Sequence, residues 1–333
     1  MTSSSSLSIG ALSSTAGGAA GTSVTPFELM VSPLEPVAWF DAWLNYPPIK
    51  VFVPLLILMA IAPFIWRFFR ESWRALDGES AGGGGELDYR PAVCLLLTAV
   101  VLTMQEYYGG RDFYERHLRS TLLSLDSWGL SFLRAQKYDE LYSYAWWVLA
   151  RVIGYIVMPV LAWKLLFPRE RVLEMGLRTQ GFFSHLWIYG LCLAVVIPLT
   201  FVMSRQSDFG SYYPFYRLSS RSWFDFLLWE AVYCLQFFAL EFFFRGWMLH
   251  ALRRRMGFAA IFVMTMPYCM IHYGKPYLEA QGAIVAGVVL GSLAMRTRSI
   301  YAGFLVHITI AIGMDTLSLY KRSALPTTFW AGD

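Results

Sequence analysis

An all-α, polytopic membrane fold is what this chain predicts, and three observations carry it. Of its 333 residues, 56% are hydrophobic and only 15% charged, with a mean hydropathy of +0.46, far from the balance of a soluble domain. The apolar residues fall into about eight stretches of near-spanning length, where about 20 residues cross a bilayer core. The gaps between them carry the glycines and arginines of membrane loops, most plainly Gly82-Gly83-Gly84-Gly85. The net charge of +4 and pI near 8.8 come from arginines beside the apolar stretches. That is topogenic charge, and it argues for the lipid bilayer and against nucleic acid as a partner.

Residues 1–26 are rich in Ser, Gly, Ala and Thr, with no aromatic residue before Phe27 and no Lys or Arg before Lys50. They predict a disordered tail and lack the basic start and compact apolar core of a cleavable signal peptide. Residues 27–48, with Trp39, Trp43, Pro47 and Pro48, read as interfacial. The expected spans are 51–69, 91–108, 144–167, 183–203, 223–249, 258–273, 279–296 and 300–320. Between the second and third, Arg111 to Tyr142 mixes Leu118, Leu122, Trp128 and Leu133 with Arg116, Arg119 and Lys137. An amphipathic helix on the membrane surface and an extramembrane helix pair fit that pattern equally. The organisation expected is a tail over 1–48, a transmembrane pair with the amphipathic segment over 49–140, a helical core over 141–322 and a short C-terminal tail over 323–333.

Orientation follows from arginine bias. Arg67, Arg70 and Arg74, then Arg169, Arg171 and Arg178, then Arg253, Arg254 and Arg255 follow alternate spans and predict one shared, cytoplasmic face. Cys94, Cys192, Cys234 and Cys269 all lie in apolar stretches without CxxC spacing and read as buried thiols.

Chemistry concentrates in the last four spans. Glu241 and Arg245 stand four residues apart in the apolar run Ala239–Gly246. Both charges are unfavourable in hydrocarbon, so an acid and a base offset by about 40° on one helix are best read as partners. Glu230 falls within about 20° of Glu241 on that helix. Tyr268 and His272 lie one turn apart after Pro267, His307 sits in the middle of an apolar run, and Asp315 follows about 80° around the same helix. A carboxylate with two histidines suffices to activate a water and stabilise an oxyanion. The same types could hold zinc with a water as fourth ligand, but no HExxH-type spacing favours a metal, so no cofactor is expected. A histidine or a Glu/Arg pair can equally serve packing alone. Arg151, Lys164, His185 and Glu230 are read in that way, as packing or interfacial groups.

Leu240-Glu241-Phe242-Phe243-Phe244-Arg245-Gly246, then Tyr268 through His272, then Gly287 through His307 together resemble the CPBP family of intramembrane glutamic-type endopeptidases. That family includes the CAAX prenyl proteases and bacteriocin-processing relatives. Its pattern is Glu-Glu-x-x-x-Arg, Phe-x-x-x-His and His-x-x-x-Asn or Asp. Gly287 and Gly291 also fit its approach to the last motif, and glycines four apart let helices pack closely.

The resemblance implies a CAAX-protease-like core over 141–322. Glu241, Arg245, His272 and His307 would form its site, and a membrane-associated or lipidated protein would be its substrate. Glu241 is expected as base, oriented by Arg245, with His272 and His307 around the water and oxyanion. Three positions depart from the family: Leu240 for the first glutamate, Tyr268 for Phe, and Ala311 for Asn or Asp. Glu230 is then a possible substitute base and Asp315 a possible substitute donor. A catalytically inactive relative acting as an adaptor or immunity factor stays open, and a transporter is less favoured because paired repeats with broken helices are not found. The expected location is a multi-pass position in a bacterial inner membrane.

Overall fold

The computed structural model describes residues 40, 42–43, 46–81, 88–179, 183–206 and 209–332. The expected disordered tail and the Gly82–Gly85 run lie outside the described residues.

Nine helices carry the architecture of the described residues. They are α1 (Pro47–Ala81), α2 (Arg90–Tyr108), α3 (111–124), α4 (Asp139–Leu166), α5 (Leu186–Met203), α6 (Trp223–Met256), α7 (Ala259–Met270), α8 (Tyr277–Thr297) and α9 (Tyr301–Lys321). Among the described residues there is no strand, only an isolated bridge between Leu177 and Ser299. Six helices, α2, α4, α5, α6, α8 and α9, are long and apolar enough to cross a membrane. They match six of the eight expected spans, and the chain is an integral multi-pass membrane protein.

Of the other two expected spans, 51–69 lies within α1, one helix of 35 residues that continues past it to Ala81. The stretch 258–273 folds as α7, whose 12 residues rise only about 18 Å and stop short of the far side. The turn after it, with Gly274 at φ +85°, returns the chain into α8. Between Arg111 and Tyr142 a single helix followed by two 3-10 turns forms, not a helix pair. Trp128 and Phe132 project from it, strongly exposed, as membrane-interface aromatics do.

One apolar core joins the N-terminal helices to the rest. Phe69 and Trp73 of α1 and Cys94 and Val101 of α2 are buried with Phe243, Trp247 and Leu252 of α6 and Leu290 and Leu293 of α8. The Trp73 indole stacks on Phe258 at 5.6 Å and donates to Ser292 Oγ at 3.1 Å. Helices α7 and α8 meet through the glycines singled out in the sequence. A Cβ at Gly287 would fall 2.6 Å from the Thr265 methyl, and one at Gly291 would fall 2.8 Å from Met264 Cε. Outward-facing Leu96, Leu161, Leu165, Trp187, Leu191 and Phe201 present the apolar surface that a bilayer solvates.

The arginine-rich ends of α2, α4 and α6 converge. Arg90 Nη1 and His250 Nε2 each lie 2.9 Å from the Glu170 carboxylate, to which Trp163 Nε1 also donates at 2.9 Å. Burial pushes the Glu170 carboxyl up, but the bonds from His250 and Trp163 and the charge of Arg90 outweigh it and hold the group below the ordinary carboxylate range. At the opposite end, α6 starts from Ser222, whose Oγ accepts from the Asp225 amide at 3.1 Å. Arg221 closes on Asp225 at 2.6 Å, and the C-terminal segment lies over the same end through Thr328 and Phe329 carbonyls.

Candidate active site

Helices α6 and α9 run antiparallel, so Glu241 of α6 meets the first two turns of α9. Its Oε1 lies 3.0 Å from Arg245 Nη1 and 2.7 Å from His307 Nδ1. Its other oxygen rests against the α-carbon of Gly303, where any Cβ would overlap the carboxylate. Glycine is therefore the residue that lets α9 approach α6 this closely. Immediately after Glu241 the helix widens into a π-helical stretch, Phe242–Met248, which carries Arg245; such bulges are frequent at functional sites. Both charged side chains are enclosed, at 0% exposure for Glu241 and 3% for Arg245. A carboxylate and a guanidinium neutralise one another there, which is the condition for either to be buried in an apolar bundle.

Tyr268 links this pair to α7. Its hydroxyl lies 2.9 Å from His307 Nε2, and the Arg245 guanidinium sits over its ring, 3.7 Å from the centroid. His272 packs edge-on against Tyr268 at 4.8 Å, and its Nδ1 is 2.8 Å from the Tyr268 carbonyl oxygen. Phe237 stacks on the His307 ring at 5.5 Å.

The partners fix one proton. A carbonyl only accepts, so Nδ1 of His272 donates to the Tyr268 carbonyl. His307 Nδ1 meets the Glu241 carboxylate at ion-pair distance without the alignment of a hydrogen bond, and its Nε2 pairs with the Tyr268 hydroxyl. Nε2 of His272 has no partner among the described residues. Both imidazoles are partly buried, His307 with 11% of its side chain exposed. The arrangement is a carboxylate, imidazole and phenol in series, with a second imidazole beside it.

All four expected residues, Glu241, Arg245, His272 and His307, thus gather at one place. The other candidates do not join them. Glu230 is eleven residues from Glu241 on one helix, about 16 Å along its axis, and Asp315 lies about 12 Å along α9 from His307. Neither replaces the family's first glutamate or its last donor at this site. Leu240 and Ala311, at those two positions, are buried. Two contacts of the cluster escaped the sequence. Tyr268 reads there as a substitution for Phe, and its hydroxyl turns out to close the series. Gly303 carried no signal except its spacing of four from His307. Among the described residues no group of three His, Cys, Asp or Glu side chains is arranged to hold a metal ion.

Residues 222–313 match the family model described as Type II CAAX prenyl endopeptidase Rce1-like. The match begins at the Ser222 cap, takes in α6, α7, α8 and the first part of α9, and contains all four site residues. It agrees with the family resemblance drawn from the three motifs. No curated protein and no solved structure matches the chain.

Proposed function

We propose that this protein is an intramembrane endopeptidase of the CAAX-protease-related type, hydrolysing a peptide bond of a membrane-associated or lipid-modified protein. The observation that carries the reading is the Glu241–His307–Tyr268 series beside His272, set inside the segment that matches the family model. A bacterial inner membrane is the location that goes with this reading, from the resemblance to bacteriocin-processing relatives.

We divide the work differently from the expectation that Glu241 is the base. Glu241 is enclosed, one oxygen shared by Arg245 and His307 and the other against Gly303, so it acts by fixing the tautomer and orientation of His307. His272 Nε2, left without a partner among the described residues, is the group we assign to take a proton from water. The water oxygen then bonds to the scissile carbonyl carbon, and the carbonyl electrons move to its oxygen. The oxyanion develops toward the Tyr268 hydroxyl, which turns its proton from His307 Nε2 to the new charge, with Arg245 behind its ring. Collapse breaks the carbon–nitrogen bond, and the proton held by His272 passes to the leaving amine.

Single-turnover cleavage of a panel of membrane-anchored peptides tests this, comparing the protein with Glu241→Gln and His272→Ala, with and without a chelator. Loss of cleavage in both variants with no chelator effect supports the reading, whereas chelator sensitivity moves the chemistry to a metal. Buried Leu240 and Ala311 favour a second reading, an inactive relative that holds a membrane protein without cutting it. Capture of a partner with no cleavage of any peptide would select it.

A further inference from the structure

About three turns from the site, on the same α6–α9 seam, stands a second polar cluster that the proposed chemistry does not use. Glu230 is 5% exposed and Asp315 fully buried. Both oxygens of Glu230 and Oδ1 of Asp315 are enclosed without a hydrogen-bond partner among the described residues. Oδ2 of Asp315 accepts from Trp229 Nε1 at 2.8 Å. Trp229, which holds Asp315, directly precedes Glu230 in α6, so the two carboxylates stand on one stretch of the seam.

No cation is bonded to either carboxylate among the described residues. Arg217 and Lys275 act on Asp315 only from a distance. Arg217 is spent on the carbonyls of Gly210, Ser211 and Tyr213, and Lys275 is bound to Glu279 at 2.5 Å. Tyr213 donates to that same Glu279 at 2.5 Å. The remaining titratable neighbours, Tyr216 from the loop before α6, Tyr144 of α4, and Tyr233 and Cys234 of α6, add no positive charge.

Two ionised carboxylates cannot both stay charged in such surroundings. We propose that Glu230 and Asp315 form a second site, a carboxylate pair that binds one proton between them. The donor set favours a proton over a metal ion. Three free oxygens fall short of the roughly six that Mg²⁺ or Ca²⁺ demands, and the Trp229 indole already aims a donor at the fourth. The walls are aromatic and offer little else.

The pair is also wired to the candidate active site. Trp229, bonded to Asp315, stacks on Tyr233 at 4.8 Å; Tyr233 meets Phe237 at 4.7 Å; and Phe237 stacks on His307 at 5.5 Å. Losing the shared proton sets a second negative charge beside the head of this ladder, and the far end is the imidazole that Glu241 orients. Any effect on cleavage rests on the proposed reading of His307; the proton itself does not.

Infrared difference spectroscopy of the protein in lipid nanodiscs, titrated across pH, reads the proton directly. At neutral pH the account expects the carbonyl stretch of one buried carboxylic acid, sensitive to deuterium exchange and reversibly lost as pH is raised. That band disappears in the Glu230→Gln/Asp315→Asn double variant, persists in Glu241→Gln, and is indifferent to added Na⁺ or Ca²⁺. No such band in the wild-type protein, an amplitude of two acids, or displacement by either cation would overturn the proposal. The wild-type titration stands even where the double variant does not fold. If peptide cleavage is also measurable, the double variant loses the alkaline limb of its pH profile. Absence of cleavage altogether leaves the infrared result to decide the proton alone.

Discussion

Replacing Arg245 by Leu removes the permanently charged partner of the enclosed Glu241 carboxylate. At 3.0 Å the pair is worth roughly 5–6 kcal/mol of gross attraction at an effective dielectric constant near 20. Most of that offsets the cost of taking both ions out of water, so the attraction is not the quantity lost. What is lost is compensation for Glu241, and leaving a buried charge without its partner costs about 3–5 kcal/mol. His307, at 2.7 Å on the same oxygen, remains and places the expectation toward the lower value. The assay is thermal unfolding in a fixed detergent, with a midpoint drop on the order of 10 °C. The second half of the cycle is Glu241→Leu/Arg245→Leu. With both charges gone and apolar volume in their place, most of the loss should return. Were the double variant as unstable as the single, or the single as stable as wild type, the pair would not be a compensated buried ion pair.

Three further outcomes follow from the same contacts. Gly303→Ala drives a methyl into the Glu241 carboxylate and should cost about 1–3 kcal/mol of stability, with cleavage falling more than folding because His307 loses its orienting partner; a variant with wild-type cleavage would contradict the close approach. Tyr268→Phe, which restores the family's usual residue, removes one hydrogen bond at His307 Nε2 and should lower the unfolding free energy by only about 1 kcal/mol, read in the same melts. Glu170→Gln removes a carboxylate held below its ordinary range. Such a group contributes stability above its unfolded value and loses that contribution as pH falls through its lower folded value. The wild-type advantage, about 2 kcal/mol at neutral pH, should therefore shrink below about pH 4 and be flat above it.

Much of this was legible in the sequence because hydrocarbon is unforgiving. An acid and a base four apart inside Ala239–Gly246 have few explanations, and the structure pairs Glu241 with Arg245. The order of Glu241, His272 and His307 placed one site on three helices. Six spans followed from length and apolarity alone. What escaped depends on depth and on neighbours. The run over 258–273 is apolar enough for a span, yet α7 ends after 12 residues, where the chain turns back through Gly274. Helical angle put Glu230 on the face of Glu241, but angle carries no axial distance, and three turns separate them. Asp315 was judged by its offset from His307, whereas its partner is Trp229, 86 positions away in sequence. The Tyr268 hydroxyl could not be assigned a partner until α7 and α9 were seen side by side.

The central claim is that Glu241 works through His307 and not on water. Single-turnover cleavage by Glu241→Gln, His307→Ala and the double variant tests it most directly, since residues acting as one unit lose activity together without adding. The account predicts that the double variant is no slower than His307→Ala alone, with Glu241→Gln nearly as impaired. Losses that multiply in the double variant, or a His307→Ala protein that still cuts at the wild-type rate, would contradict it.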